Sequence, residues 1–442
     1  MWARASRLAE QTPEARNRYV DLLRALSIGA VVLGHWIMAA PHLAAGSAQL
    51  AHLLDVLPWS RWLTWGFQVM PVFFFVGGYS NGTSWDGARQ RNQPYNAWLE
   101  SRLRRLLGPV VPLVVLWTGL GAIGFLLGIP EGMIRVGSKV ALVPVWFLAI
   151  YLLIVMLVPI TRAAWHRLGL WSFWIPAGLA ATNDLVFFNT DLQWLGWLNY
   201  LFIWSAVHQL GYAWQEGVLI GPKRALPVLL VGAVSLVALT QLGPYPTSLV
   251  GVPSEVLSNT TPPKLPILAL GLAQIGLLLS LEGPARRWLA RKAAWTATVL
   301  VNGMIMTIFL WHSTVMMLVI GAGFWLLPAV FDIVPGTAAW WWLRPLWVLG
   351  FAVATFPFLL VFIRVERKIS NYAPGPIPLW RLLAGASMLC IGLALLAGGG
   401  VAGPGLMGLD PVAIVLPFVG SALAGFGPMA FLKPSSRDAD AA

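Results

Sequence analysis

A single cysteine, Cys390, stands in 442 residues, which excludes an internal disulfide. Six scattered histidines offer no metal-ligand spacing, so no metal is expected. Charge is scarce too, at 10% of residues, with 17 Asp and Glu against 29 Lys and Arg. A soluble domain carries about 25% charged residues, so this composition excludes an ordinary soluble enzyme. The N-terminus lacks a short apolar stretch ending in a small-residue cleavage site. Its first apolar run is therefore expected to remain as a membrane helix.

Apolar surface fills the chain instead. Hydrophobic residues make up 58%, there are 25 Trp, and the mean hydropathy is +0.73. Long apolar runs predict an all-α, polytopic membrane bundle of about 12 spans: 19–40, 62–83, 106–128, 143–161, 170–188, 194–213, 225–243, 265–282, 298–325, 340–363, 381–399 and 411–431. With the N-terminus placed inside, the outer segments hold only Arg61, Arg135, Lys139, Lys264 and Arg344 of the 29 cations. That bias predicts a multi-pass cell-membrane protein with both termini cytoplasmic. The net charge of +12 is then topological and needs no nucleic-acid partner. Trp59, Trp62 and Trp65, and Trp340, Trp341 and Trp342, fall at span ends, as lipid-interface belts do. The most polar internal segment, 84–105, reads as an inner loop carrying Arg89, Arg91, Arg102, Arg104 and Arg105.

The stretch Arg18–Met38, RYVDLLRALSIGAVVLGHWIM, is long enough to enter a bilayer yet contains Asp21, Arg24 and His35. Ionisable groups at membrane depth are costly and face a cavity or a partner. Arg24 and His35 are separated by ten residues. Eleven helical steps return to within roughly 20° of one face and rise roughly 16 Å. A guanidinium grips phosphate oxygens in a two-pronged geometry, and a near-neutral imidazole moves protons. The plain alternatives are a topology-setting Arg24 paired to Asp21 at i, i+3, and a His35 that hydrogen-bonds a neighbouring helix.

Other residues carry similar pairs of readings. Arg102, Arg104 and Arg105 are either positive-inside charge or further phosphate grips. Gly77-Gly78 before Tyr79 allows either close helix packing or backbone approach by a ligand, with Tyr79, Ser80 and Asn81 as polar handles. His312 lies mid-way along span 298–325, ten residues after Asn302, and structural hydrogen bonding is its simplest role.

Several of these segments resemble one family. DLLRALSIGAVVLGH (21–35) is similar to the acyltransferase-3 family of polytopic membrane enzymes, whose hallmark is Arg, ten residues, then His. FFFVGGY (73–79) followed by RLRRLLGP (102–109), then VWFLAIYL (145–152) and FLWH (309–312), resemble further motifs of that family in the same order, over roughly residues 16–370. Where many members have Ser-Gly after the Phe run, this chain has Gly77-Gly78, so a role for that Ser is absent. The resemblance implies acyl transfer from cytoplasmic acyl-coenzyme A, acetyl-CoA by family habit, to a hydroxyl of a glycan or other acceptor, often at the outer face. It also implies a core of about ten helices. The chain would divide into a tail (1–18), an acyltransferase core (19–370), two additional transmembrane helices (371–431) and a C-terminal tail (432–442).

On that implication His35 is the catalytic residue, acting as base or itself taking the acyl group. Arg24, with Arg102, Arg104, Arg105 and Tyr79, would hold the coenzyme. Asp21 would orient Arg24, and Tyr79, Asn302 or His312 would supply an oxyanion donor. The rival reading is a transporter or flippase for a lipid-linked glycan, against which no matching interrupted helices occur in two halves. A structural scaffold, the third reading, makes no use of His35.

Overall fold

The computed structural model describes residues 1–14, 16–44, 46–371 and 376–426. The expected tail 432–442 and the end of the expected span 411–431 lie outside the described residues. The described chain is overwhelmingly helical; its sheet is an antiparallel hairpin, Ala39–Ala44 with Ser47–His52. Among the described residues, five helices are long and apolar enough to cross a membrane: Arg18–Met38, Pro222–Gln241, Ile305–Leu326, Ala338–Glu366 and Leu379–Gly399. Three bent pairs raise the number to eight. This is an integral membrane protein, but the expectation of about 12 spans is not reached by these helices.

Proline explains much of the difference. It lacks an N–H, fits a helix's first turn without cost, and bends or breaks the helix elsewhere. Pro71 therefore starts a helix, Met70–Gln90, and the expected span 62–83 breaks into a 3-10 turn, Pro58–Leu63, a short helix, Thr64–Phe67, and that longer helix. Pro109 separates Tyr95–Leu107 from Val110–Leu126 with a 40° bend. Pro144 does the same between Glu131–Leu142 and Val145–Met156, with a 48° bend. The expected inner loop 84–105 is corrected likewise. It is the end of Met70–Gln90, a turn in which Asn92 takes φ 53°, and most of the helix Tyr95–Leu107.

The chain forms two compact units interleaved along the sequence. The first comprises Met1–Asp86, Val158–Ile305 and Ile333–Trp341. Its pivotal helix is Arg18–Met38. The Asn17 side chain caps it by accepting from the Tyr19 N–H at 3.1 Å. Pro41 cannot continue it, so the chain turns extended at Ala39 and enters the hairpin, with Ala39 opposite His52. Ala40, Leu53 and Trp340 close a small apolar core there. Deeper in the unit, the buried Asp184 carboxylate accepts from Asn199 Nδ2 (2.8 Å), Tyr245 Oη (2.9 Å) and the Leu265 N–H (2.8 Å). It thereby pins the 244–264 segment and satisfies the start of the helix Leu265–Ser280.

Two glycines fix the tightest crossing of this unit, between Met70–Gln90 and Asn199–Gln215. A Cβ on Gly78 would lie 2.0 Å from the His208 carbonyl oxygen, and one on Gly211 would lie 2.2 Å from that of Phe75. Gly78 thus serves close helix packing. Phe75 and Tyr79 flank the crossing and pack on Trp214, with ring centroids 5.0 and 4.6 Å away.

The second unit comprises Gly87–Leu157, Met306–Asp332 and the chain from Trp342 onward. Leu379–Gly399 packs on both Pro411–Leu423 and Val145–Met156, and the Cys390 thiol donates to the Ala149 carbonyl at 3.2 Å. Gly385 and Gly420 bring the last two helices together, each lacking the Cβ that would meet the other's carbonyl at 2.6 Å.

Gly211→Ala should lower the thermal stability of the purified protein by roughly 1–3 kcal/mol through overpacking. Gly321→Ala, where a Cβ meets nothing within 4 Å, should not. Parallel melting curves in detergent check both; equal curves would show that the 78–211 crossing relaxes freely.

Candidate active site

The Arg18–Met38 helix is unbroken, so Arg24 and His35 hold the spacing expected of them. Leu26 and Leu33 are the exposed leucines of this helix, at 58% and 40%. They lie within about 20° of each other around the axis, whereas Arg24 and His35 lie about 160° and 180° from Leu26 at 100° per residue. The arginine and the imidazole therefore face away from the exposed stripe, and both are half-buried. His35 sits in the last turn, three residues before the helix ends, with its carbonyl accepting from Ala39 N–H. The imidazole is thus at the hairpin end of the helix and the guanidinium is nearer its start.

Arg24 has a partner from the neighbouring helix. Its Nη2 donates to Ser80 Oγ at 2.5 Å, and Ser80 in turn donates to the Val76 carbonyl at 2.8 Å. Asp21 stands 3.5 Å from Arg24, but its closer bonds are to Arg16, whose Nε and Nη2 donate at 2.7 and 3.1 Å. Asp21 thus keeps the expected i, i+3 pairing with Arg24, while its shorter bonds go to Arg16 and Ser80 is the nearer contact of Arg24. Hydrogen bonding to Asp21 raises the Arg16 guanidinium above its usual pKa despite partial burial. Asn302 is spent on the backbone, donating to the Asp21 and Thr298 carbonyls at 2.9 Å each. It anchors the helix Lys292–Asn302 to the start of Arg18–Met38. Tyr79 is half-buried against Trp214, one residue from Ser80. Asn81, one step further, meets His208 Nε2 at 3.2 Å in a buried pair.

The remaining expected site residues belong to the second unit. Arg102 stacks over Trp98 at 5.7 Å, Arg104 pairs with Glu100 one turn away, and Arg105 is exposed. His312 is fully buried, with Nδ1 2.7 Å from the Phe309 carbonyl and Nε2 3.1 Å from Ser313 Oγ. These two bonds are to its own helix. Glu366, not singled out from the sequence, is buried in the same unit and accepts from Thr307 Oγ1, on the helix that carries His312, at 2.6 Å.

A sequence profile for the acyltransferase domain matches residues 17–364, more than three quarters of the chain. The chain belongs to the acyltransferase-3 family. It is therefore a membrane acyltransferase. The matched region begins at the cap of the Arg18–Met38 helix and ends near Glu366, so both units contribute to it. Neither the curated proteins nor the solved structures contain a match to this acyltransferase.

One ionic cluster of the acyltransferase was not foreseen. Arg162 is buried and donates to Asp86 through Nε at 3.2 Å and Nη2 at 2.6 Å, while Nη2 also meets Glu216 at 2.8 Å. The Tyr212 ring lies under the guanidinium at 5.1 Å, and Gln215 donates to Asp86 at 3.1 Å. These residues tie three helices together where their apolar stretches end. The signal was available: Asp86, Arg162 and Glu216 each follow an expected span within a few residues. Burial pushes the Asp86 carboxyl up, but hydrogen bonds from Arg162 and Gln215 and the Arg162 charge pull it below its ordinary 3.8.

A depressed carboxyl stabilises the fold above its unfolded value, and that contribution fades as the pH falls through the folded value. Asp86→Asn should therefore cost stability at pH 7. Losing a buried partner costs roughly 3–5 kcal/mol, and Asp86 keeps 28% of its side chain exposed, so about 1–3 kcal/mol is expected. The variant should also lose part of the acid sensitivity below about pH 4. Melting temperatures across pH check both; a wild-type-like acid profile would remove Asp86 from this role.

Proposed function

We propose that this acyltransferase moves an acyl group, acetyl in the first instance, from acyl-coenzyme A to a hydroxyl of a glycan or other acceptor. The observation that carries the reading is the placement of Arg24 and His35 on one side of an unbroken helix, opposite its exposed leucines. Coenzyme A is a polyanion joined to its thioester by a long flexible arm. Its site needs a cation at one end and a proton-handling group an arm's length away. The helix supplies that separation, roughly 16 Å of rise. Arg24 grips the phosphates, with Ser80 and Tyr79 beside it on the neighbouring helix.

At the other end His35 accepts the proton of the acceptor hydroxyl as its oxygen bonds to the thioester carbon. The C–S bond breaks, and the departing sulfur takes the proton back from the imidazolium. In the two-step variant the imidazole nitrogen bonds to the thioester carbon, the C–S bond breaks and coenzyme A leaves as the thiol with the imidazole proton; the acceptor oxygen then displaces the imidazole, which regains a proton from the hydroxyl. Trapping an acyl-imidazole in the absence of acceptor separates the two routes. The charge bias of the sequence supports a cell-membrane location with both termini and the donor on the cytoplasmic side, and the acceptor at the hairpin side.

Purified protein given labelled acyl-coenzyme A should hydrolyse the thioester slowly or pass on the label. An untouched thioester would favour a transporter for a lipid-linked glycan. His35→Ala should abolish transfer while coenzyme A still binds; loss of binding as well would make the imidazole positional. Arg24→Ala should weaken coenzyme A binding roughly tenfold or more, the worth of a charge-assisted phosphate contact. Unchanged affinity would remove Arg24 from the phosphate grip.

A further inference from the structure

A second set of arginines surrounds a cavity at the start of the Arg18–Met38 helix, away from His35. The cavity has a volume of about 250 Å³ and is lined by Glu14, Arg16, Arg18, Arg286, Leu289 and Ala290. Apart from the contact of Arg16 with Asp21, these residues take no part in the site described above. Each guanidinium is held from behind. Asp21 takes two bonds from Arg16; the Leu289 carbonyl accepts from Arg18 at 3.4 Å while Trp295 lies under it at 5.1 Å; Glu282 accepts from Arg286 Nε at 2.8 Å. Glu282 is in turn held by the Trp214 indole N–H at 3.1 Å. Held in this way, Arg16 and Arg286 still leave half of their side chains open, at 53% and 50% exposure. A guanidinium anchored on one edge with the other edge open is preorganised for an oxyanion, because little rotamer freedom remains to be lost. The positive end of the helix dipole points the same way.

Position along the helix says which anion. Arg18 lies six residues before Arg24, about 9 Å further from His35. Asp21 joins the two places, 2.7 Å from Arg16 and 3.5 Å from Arg24. The order outward from His35 is thus imidazole, Arg24, cavity. In coenzyme A the order outward from the thioester is pantetheine arm, diphosphate, then the phosphate on the ribose 3′ oxygen. We propose that the Arg16–Arg18–Arg286 cavity binds a phosphomonoester, the 3′-phosphate of the donor, and so distinguishes coenzyme A from its 3′-dephospho form. This inference rests on the donor reading above and extends it from Arg24 to a second anion subsite. A phospholipid headgroup offers the same phosphate chemistry, and the experiment separates the two sources.

Affinities for coenzyme A and 3′-dephospho-coenzyme A are measured on the full protein in nanodiscs of phosphatidylcholine and again of phosphatidylglycerol. The wild type should prefer coenzyme A by roughly tenfold or more in phosphatidylcholine. Arg18→Gln should bring that ratio toward one while leaving affinity for the dephospho form unchanged. It is the informative variant because it gives up only one long hydrogen bond and a ring contact. Arg286→Gln should act alike, with melting curves reporting any cost of exposing Glu282. Glu14→Gln, which removes the carboxylate from the lining, should raise the ratio. A ratio that Arg18→Gln leaves intact, or an equal loss for both forms, overturns the proposal. So does a wild type without preference whose co-purified phosphatidylglycerol falls in Arg18→Gln, which would make the cavity a headgroup site. If neither coenzyme form binds the wild type, the donor reading itself falls. Binding without 3′ discrimination sinks only the subsite.

Discussion

The rigid pitch of a single α-helix fixes the spacing on which the proposed chemistry depends. Arg24 and His35 cannot change their separation or their relative direction without breaking Arg18–Met38. The sequence protects that helix at both ends, with Asn17 as its cap and a turn to extended chain before Pro41. Placing a guanidinium and an imidazole on one apolar helix is costly unless both turn from lipid. Leu26 and Leu33 take the exposed side, so the cost is avoided by rotation alone.

The surrounding helices are held by two kinds of contact that respond to different perturbations. Glycine crossings such as Gly78 with Gly211 bring backbones together and depend on shape. Polar junctions such as Asp184 with Asn199, Tyr245 and Leu265, or Arg162 with Asp86 and Glu216, depend on charge and hydrogen bonding. Both types flank the pivotal helix's neighbours rather than the helix itself. The site can therefore keep a half-buried, partly solvated character while its frame stays fixed.

Much of this was legible in the sequence. The pivotal helix was, because its apolar run, its cap and its ionisable residues all lie within one local stretch. The family was legible from ordered motifs spread over several helices. Span boundaries were less so: hydropathy averages across Pro71, Pro109 and Pro144, whereas the backbone breaks at each. The hairpin escaped notice because AAPHLA and SAQLAH carry small residues without the alternation that marks a half-buried strand. Ser80 as the contact of Arg24, and Arg16 as that of Asp21, depend on packing between helices, which periodicity along one helix does not report. Arg102, Arg104, Arg105 and His312 were grouped with Arg24 and His35 by chemistry alone, and they reside in the other unit.

The interleaving of the two units has a temporal side. Ribosomes deliver the chain from residue 1 onward, and early domains ordinarily fold before later ones emerge. Here the first unit waits for Ile333–Trp341, because Trp340 completes the small core with Ala40 and Leu53 beneath the hairpin. The hairpin that follows His35 thus acquires its last wall after most of the polypeptide has been made. A nascent chain halted before that point carries the Arg18–Met38 helix and its hairpin without this last packing partner, so the surroundings of His35 are finished late in synthesis.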